Sequence, residues 1–323
     1  MSSSTSSSSR AVRLFDAHCH LQDQRIFCVA PKLIRMALDS GVLRFAVNGV
    51  SEKDWKLVKE MGDHYPSVIP CFGLHPWYVS ERSPNWLKSM REFFNGTPSA
   101  AVGEVGLDKG SRGKEIDFLE QVDIFRQQLE LAKELERPVS IHCVRAYGDL
   151  LEIMQSAGPF PAGVILHSYL GSAEMVPGLA KLGAYFSFSG YLMSLKSQKA
   201  KKMLKSVPAD RILLESDAPD ALPKSNLGSL QWVEGDDSVP QELQNQGGNT
   251  IPDANLPSDN EHHALTDALT FPKETLNHPV NIHCVLRYVA SLLEMPEEEV
   301  AELSYRNTMQ LFSYPGSKVC GEG

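Results

Sequence analysis

The stretch Val12-Arg-Leu-Phe-Asp-Ala-His-Cys-His20 places two histidines at the end of a short apolar run. The run opens with a β-branched residue, so it predicts a buried strand. Because side chains alternate along a strand, His18 and His20 face one side and Cys19 faces the other. Two such imidazoles can hold one divalent metal ion, or they can be ordinary core or surface histidines. The rest of the chain decides between these interpretations.

Seven more short apolar runs follow, separated by stretches with helical periodicity. The eight predicted strands span residues 12–18, 44–48, 68–74, 100–104, 139–142, 164–167, 185–189 and 211–215. Amphipathic stretches lie near residues 30–40, 51–64, 83–95, 115–136, 145–157, 172–182 and 193–206. Strand and helix alternating in this way are typical of an α/β protein with a (β/α)8 barrel, the TIM barrel. A doubly wound sheet is the main alternative, although it seldom needs eight such units.

Composition predicts one large domain with segments of different character. Residues 1–11 are serine-rich and predict a disordered tail, and residues 314–323 form a short C-terminal tail. The barrel domain spans residues 12–313 and carries an insertion at about 227–274, rich in Gly, Pro, Asn, Gln and Asp. We expect this insertion to be mobile or disordered. Helical patterns resume over 281–293 and 296–312, and these helices are expected to close the barrel.

Charge, cysteines and hydropathy bear on partners and compartment. The net charge is −9, of which −8 comes from residues 226–278, so the remainder is nearly neutral and a nucleic-acid substrate is not excluded. The six cysteines include no C-x-x-C pair, which favours reduced thiols. No apolar run reaches about 18 residues, which argues against a membrane span. We therefore expect a cytoplasmic or nuclear protein without a membrane partner, and the oligomeric state stays open.

Residues that bind metals recur where the predicted strands end. Because the carboxyl ends of the strands meet on one face of a barrel, these side chains are expected to converge there. They are His18 and His20 on the first strand, Glu104 on the fourth, His142 on the fifth, His167 on the sixth and Asp217 after the eighth. Chance placement of so many ligand-type residues is improbable, so the set predicts a metal site.

Six such ligands are too many for one catalytic zinc, which keeps three protein ligands and a water. We therefore expect two divalent ions. The expected ligands are His18, His20 and Asp217 on one ion, His142 and His167 on the other, and Glu104 between the two. Such a pair stabilises the attacking and leaving oxygens of a phosphoryl displacement, and Asp217 is placed to take a proton from the attacking water. Histidine favours Zn or Mn over Mg in affinity, although availability in cells can override affinity.

The same residues stand in motifs that resemble those of the TatD family of metal-dependent nucleases, within the amidohydrolase-like barrels. The motifs are Asp16-Ala-His-Cys-His20, Gly73-Leu-His-Pro76, Gly103-Glu-Val-Gly-Leu-Asp108, Ile141-His-Cys143, His167 with Gly171-Ser172, Phe186-Ser-Phe-Ser-Gly190, Leu214-Glu-Ser-Asp-Ala-Pro219 and Tyr305-Arg-Asn-Thr308. The resemblance covers nearly the whole chain except the tail and the insertion. It implies the same six ligands and a divalent-metal-dependent DNase, often a 3′→5′ exonuclease, in DNA repair or DNA breakdown. The implied partner is DNA, single-stranded or with a free 3′ end.

Three positions depart from the family pattern. The arginine that usually lies two residues after the fifth-strand histidine is replaced by Val144, with Arg145 one residue later. Lys109-Gly110 stand where an aromatic residue is usual, and Ser168-Tyr169 replace a usual Cys-Phe. These positions touch the substrate pocket more than the metal ligands, so they bear on substrate preference. Arg145 stays a candidate substrate contact.

Further residues have both a functional and a structural interpretation. His75 is a candidate contact to the substrate phosphate or a ligand-orienting residue, and otherwise the cap of a local turn. Glu215 and Asp108 either orient the ligands from behind or make plain buried hydrogen bonds. Trp77 and Tyr78 either stack on bases or pack. The lysines near 193–206 either neutralise a DNA backbone or form a solvated helix face.

Two other functions stay open on sequence grounds. The barrel and its metal ligands also serve hydrolysis of an amide, an ester or another small substrate. A weakly catalytic interaction protein, in which the acidic insertion recruits a partner, is the other alternative. The intact ligand set speaks against the second.

Overall fold

The computed structural model describes residues 12–225, 230–234 and 275–319, so the serine-rich tail and most of the 227–274 insertion lie outside the described residues. Eight parallel strands form one sheet, each bonded to the next in chain order. They are β1 Leu14–Cys19, β2 Val42–Asn48, β3 Val68–Phe72, β4 Ala101–Asp108, β5 Val139–Val144, β6 Val164–Leu166, β7 Ala184–Phe188 and β8 Ile212–Leu214. The predicted (β/α)8 barrel is confirmed. A doubly wound sheet is excluded, because its strand order reverses at a switch point.

One α-helix follows each of the first seven strands, and the residues described after β8 contain two more. They are α1 Ala30–Asp39, α2 Trp55–His64, α3 Trp86–Asn95, α4 Phe118–Leu135, α5 Tyr147–Ala157, α6 Val176–Lys181, α7 Ser197–Ser206, α8 Ile282–Leu293 and α9 Glu297–Leu311. The predicted and observed ends of these elements differ by at most four residues. In α1 the buried residues Ala30, Leu33, Ile34 and Ala37 recur at helical spacing, which gives the helix one apolar face toward the barrel.

Helix α4 also holds two strand ends in place. The amide of Gln128 accepts a hydrogen bond from the Leu74 backbone N–H at 2.8 Å and donates one to the Leu74 carbonyl at 3.0 Å. Gln121 accepts from the Asp108 backbone N–H at 2.8 Å. An amide side chain both donates and accepts, so a buried glutamine can satisfy backbone groups where strand pairing stops. The loops after β3 and β4 are fixed in this way, and the first of them carries His75.

Side chains complete the barrel between β8 and β1. The Asp16 carboxylate in β1 accepts hydrogen bonds from the Ser216 backbone N–H at 2.8 Å and from the Ser216 hydroxyl at 2.5 Å. Ser304 in α9 accepts from the Leu214 backbone N–H in β8 at 2.9 Å. These bonds satisfy polar groups at the seam, so the last helix closes the barrel as predicted.

The chain beyond α9 packs onto the barrel. Tyr314 and Val319 are buried. The Lys318 ammonium donates to the carbonyl oxygens of Tyr65, at 2.9 Å, and of Val68, at 2.6 Å. The packed unit therefore extends to residue 319, beyond the boundary expected at residue 313.

The described start of the insertion is a strand. β9 (Trp232–Glu234) pairs antiparallel with β10 (Thr275–Asn277). The expectation of a segment without regular structure is therefore wrong at residues 232–234. The Asn277 amide donates to the Ser216 carbonyl at 2.8 Å, which fixes this ribbon beside the end of β8. Among the described helices, none combines the length and the apolar character needed to cross a bilayer.

Candidate metal centre

The structure brings all six predicted ligands together where the strands end. They are His18 in β1 and His20 just after it, Glu104 in β4, His142 in β5, His167 just after β6 and Asp217 just after β8. Their side chains are largely buried. The strand alternation also holds, because Cys19 is buried in the outer core while the flanking histidines meet each other.

One group of ligand atoms gathers around the two histidines of β1. His18 Nε2 and His20 Nε2 are 3.2 Å apart. Glu104 Oε2 lies 3.7 Å from the first nitrogen and 3.3 Å from the second. Asp217 Oδ1 lies 3.9 Å and 3.7 Å from the same two nitrogens. Ligands at zinc distances in a tetrahedron are separated by roughly 3.3 Å, so these four atoms are spaced to surround one ion.

A second group forms around the other oxygen of Glu104. Its Oε1 lies 2.9 Å from His142 Nδ1 and 2.9 Å from His167 Nε2. The two nitrogens are 3.2 Å apart. Each carboxylate oxygen of Glu104 therefore faces a different pair of histidines, which is the geometry of a bridging ligand.

Three of the four histidines in these pairs hydrogen-bond an oxygen through the outward nitrogen, and His167 Nδ1 lies near an oxygen without a hydrogen bond. His20 Nδ1 is 2.8 Å from the Asn48 carbonyl, and because a carbonyl only accepts, Nδ1 carries the proton of the neutral ring. His20 Nε2 then presents its lone pair to the cluster. The other three contacts are His18 Nδ1 to Ser140 Oγ at 2.8 Å, His142 Nε2 to Asp108 Oδ2 at 3.3 Å and His167 Nδ1 to Glu215 Oε1 at 3.4 Å. This pattern is the usual support of metal-binding histidines, so the residues present fit divalent ions.

His75 belongs to the same cluster but turns the protonated nitrogen of its neutral ring toward it. Its Nδ1 accepts a hydrogen bond from the Trp77 backbone N–H at 3.1 Å, so the proton of the neutral ring is on Nε2. That Nε2 lies 3.4 Å from Glu104 Oε1. Burial lowers the pKa of His75 to about 4, which keeps the ring neutral. Although His75, Glu104 and His142 are close enough to hold an ion, His75 points an N–H at Glu104, and it is therefore a hydrogen-bond donor.

The buried histidines and carboxylates of the cluster shift one another's pKa. Although burial opposes it, Glu104 and Asp217 raise the pKa of His20 to about 9, and Glu104 and Glu215 raise the pKa of His167 well above its usual value. Burial raises the pKa of Asp217 to about 8, and burial together with His167 lowers the pKa of His18 to about 4. Although burial opposes it, the surrounding histidines hold the pKa of Glu104 well below its usual range. Buried carboxylates and lone pairs at such distances repel one another unless protons or cations lie between them. A divalent cation bound among these ligands would supply positive charge beside each of them.

Glu215 and Asp108 lie directly behind the ligands, where the sequence predicted them. Ser168, which follows His167, donates to Glu215 Oε1 from its backbone N–H at 2.7 Å and from its hydroxyl at 2.8 Å. The Ser168 hydroxyl also lies 3.4 Å from Asp217 Oδ2. Ser168 therefore touches two neighbouring carboxylates, a role that sequence reasoning missed. Its position directly after a ligand was the only signal.

Backbone strain collects on the same face. Arg145, Ser168 and Asp217 have φ values of 55°, 43° and 54°, and they follow β5, β6 and β8. Non-glycine residues in this left-handed region concentrate at functional sites. Arg145 is exposed at the end of β5, and among the described residues it makes no recorded hydrogen bond or ion pair. The structure thus places Arg145 near the face without bringing it to the ligands.

The lysine-rich helix after β7 has carboxylate partners. Lys201 and Lys205 pair with Glu294, at 2.6 Å and 2.7 Å, and Lys202 pairs with Glu174 at 2.6 Å. These contacts support the interpretation of a solvated, ion-paired helix face.

Comparison with known proteins agrees with this geometry. A family model described as TatD related DNase matches residues 15–313. The metal-dependent hydrolase YabD of Bacillus subtilis is 31% identical over 299 residues, which cover 93% of this chain and 98% of YabD. The chain belongs to the TatD family. The resemblance expected from the motifs is therefore confirmed, and the chain is a metal-dependent hydrolase of that family.

Other TatD relatives extend the comparison. A Pantoea vagans protein named 3′-5′ ssDNA/RNA exonuclease TatD is 27% identical over 214 residues, 65% of this chain and 81% of the relative. The crystal structure of YjjV, a TatD homolog from Escherichia coli, superposes with a TM-score of 0.73 at 22% identity. That alignment covers 95% of this chain and 100% of YjjV, so the two share the fold. A location in the nucleus and a role in DNA repair stay predictions.

Proposed function

We propose that this TatD-family hydrolase is a DNase that uses two divalent ions to remove nucleotides from the 3′ end of DNA, preferably single-stranded. The observation that carries the proposal is the placement of Glu104, whose two oxygens face two separate histidine pairs. Binuclear sites of this kind suit in-line displacement at phosphorus. Several relatives, among them the Pantoea vagans protein, are named 3′-5′ ssDNA/RNA exonucleases, which supports the same substrate class.

The ligand assignment follows from the distances. In this assignment His18, His20 and Asp217 would hold one ion, His142 and His167 would hold the other, and Glu104 would contribute to both. Bound divalent ions supply Lewis-acid stabilisation of the charge that develops on the phosphate oxygens. Imidazole nitrogens favour Zn or Mn over Mg in affinity.

Two protein groups act on the substrate side. Asp217 faces the first histidine pair with Oδ1 and the Ser168 hydroxyl with Oδ2, so it is oriented to accept a proton from the attacking water. His75 donates its Nε2–H toward Glu104 Oε1, and the same N–H can donate to an oxygen of a phosphate that lies beside Glu104. Because His75 is neutral and its tautomer is fixed, this donor is ready before substrate binds.

The test is a nuclease assay on single-stranded DNA labelled at the 5′ end, with Mg, Mn and Zn supplied separately. We expect a ladder that shortens from the 3′ end, and phosphorothioate linkages at the 3′ end should block it while those at the 5′ end should not. Asp217→Asn is the matched control, because it keeps the shape and one ligating oxygen but lowers turnover by about 10²–10⁴-fold. Hydrolysis of amides or esters without any cleavage of DNA would contradict the proposal.

A further inference from the structure

Arg112 lies on an aromatic surface beside the metal centre. Its guanidinium carbon is 4.4 Å from the centre of the Trp77 ring and 5.4 Å from the centre of the Tyr78 ring. Guanidinium groups stack favourably on aromatic faces, and stacking fixes the plane of the group. Trp77, Tyr78 and Arg112 together are called the arginine platform below.

Trp77 ties the arginine platform to the metal centre. Its indole N–H donates to Asp108 Oδ2 at 2.5 Å, and the same oxygen lies 3.3 Å from His142 Nε2. The Trp77 and His142 rings are 5.9 Å apart between centroids. The indole ring of Trp77 is therefore next to both the guanidinium of Arg112 and the ring of His142, a proposed ligand. The distances of 4.4 Å and 5.9 Å put the guanidinium carbon within about 10 Å of the centre of the His142 ring, which is within reach of a phosphate next to one held at the ligands.

Arg112 differs from Lys109 and Arg82 in its charge environment. Lys109, at the start of the same loop, pairs with Asp149 at 2.6 Å, and Arg82 pairs with Glu120 at 2.5 Å. Within the described parts of the chain, Arg112 pairs with no carboxylate, and its recorded contacts are to the two aromatic side chains. A guanidinium carries five N–H donors in its plane, so stacking leaves most of them available to an anion.

We propose that Arg112 binds the phosphate next to the scissile one, and that it thereby selects a polynucleotide strand over a diester with a single phosphate. This inference rests on the proposed phosphodiesterase function. The planar donor fork matches two oxygens of one phosphate. Because the aromatic rings already hold the guanidinium, little side-chain freedom is lost on binding. Each phosphate that is neutralised releases counterions, so the contact contributes to the salt dependence of binding.

The test compares a short single-stranded oligonucleotide with bis(4-nitrophenyl) phosphate, which has one phosphate only. Arg112→Gln is expected to lower kcat/KM for the oligonucleotide about tenfold, with a much smaller effect on the single-phosphate diester. It is also expected to reduce the slope of log KM against log salt concentration by about 0.7 for the oligonucleotide. Lys114→Gln removes the same charge from an exposed position in the same loop, and we expect it to change neither quantity.

A second variant keeps the test informative if Arg112→Gln folds poorly. Arg112→Lys retains the charge but lacks the planar fork, so it should keep the salt slope and lose part of kcat/KM on the oligonucleotide only. Equal losses on both substrates, or the same loss in Lys114→Gln, would overturn the inference. If the wild-type protein cleaves neither substrate, the proposed function itself is wrong, and this outcome is distinct from the first.

Discussion

His75 and His278 share one local structure at two places in the barrel. Each precedes a proline, each caps a short 3₁₀ helix, and each is only 2% exposed. His75 Nδ1 accepts from the Trp77 N–H at 3.1 Å, and His278 Nδ1 accepts from the Val280 N–H at 3.0 Å. Burial lowers the pKa of both to about 4. Both rings are therefore neutral, and both carry the proton on Nε2.

The two histidines differ in what the Nε2–H meets. In His75 it points toward Glu104 Oε1 at 3.4 Å, within the metal centre. In His278 the buried Nε2 has no hydrogen-bond partner among the described residues. The His-Pro sequence thus determines the cap and the tautomer in both places. Only the position in the barrel makes one of them a candidate for catalysis.

The largest effect is expected from removing Glu104, whose carboxylate faces the Nε2–H of His75. Glu104→Ala deletes the carboxylate that we propose to bridge the two ions, so it should lower the proposed nuclease activity by at least about 10³-fold and reduce the metal content at both positions. The barrel should remain folded, because Glu104 is one buried residue in a large core. Metal analysis and circular dichroism of the purified variant check both statements. Cleavage of DNA at the wild-type rate would refute the bridging role.

A smaller effect is expected from the same substitution at each histidine. Asparagine is a good N-cap, so His75→Asn and His278→Asn should both keep the local cap. His75→Asn removes the N–H that faces Glu104, and nuclease activity should fall about 10²-fold while bound metal is retained. His278→Asn is the matched control, with wild-type activity expected. Loss of metal from His75→Asn would show instead that His75 is a ligand.

His75 and His278 also show which parts of the structure can be predicted from the sequence. The strands and helices were predictable because each depends on a local periodicity that repeats around the barrel. The ligands were predictable because strand ends meet on one face. The cap at His278 carries the same local signal as the cap at His75, and it was not singled out, because no predicted strand ends beside it.

The partners of the ligands were less predictable. Ser140 and Asn48 contact histidines of another strand, so their roles depend on register between strands, which no local pattern specifies. Gln121 and Gln128 look like solvent-facing positions of a helix, yet they are buried against strand ends. The strand at 232–234 depends on pairing with residues some forty positions later in the chain.

The smallest expected effect is on the pH dependence of the unfolding free energy, and it comes from the titration of His278. A buried histidine whose folded pKa is about 4 binds fewer protons than the unfolded chain, where the value is near 6.5. Its contribution to stability is therefore full above pH 6.5 and is lost as the pH falls toward 4. Between pH 7 and pH 5 the loss amounts to roughly 1–2 kcal/mol of unfolding free energy.

Asparagine does not titrate in this pH range. Between pH 7 and pH 5 the His278→Asn variant should therefore lose roughly 1–2 kcal/mol less unfolding free energy than the wild-type protein. Urea unfolding at pH 7 and pH 5 measures it for both proteins, and the difference between the two pH values cancels any constant effect of the substitution on packing. The metal centre also titrates, but it is unchanged in this variant and cancels in the same way. An identical pH dependence of stability in the two proteins would mean that His278 is protonated, or solvated, in the folded state. His278 would then not be a buried neutral ring like His75, and the comparison of the two caps would be wrong on this point.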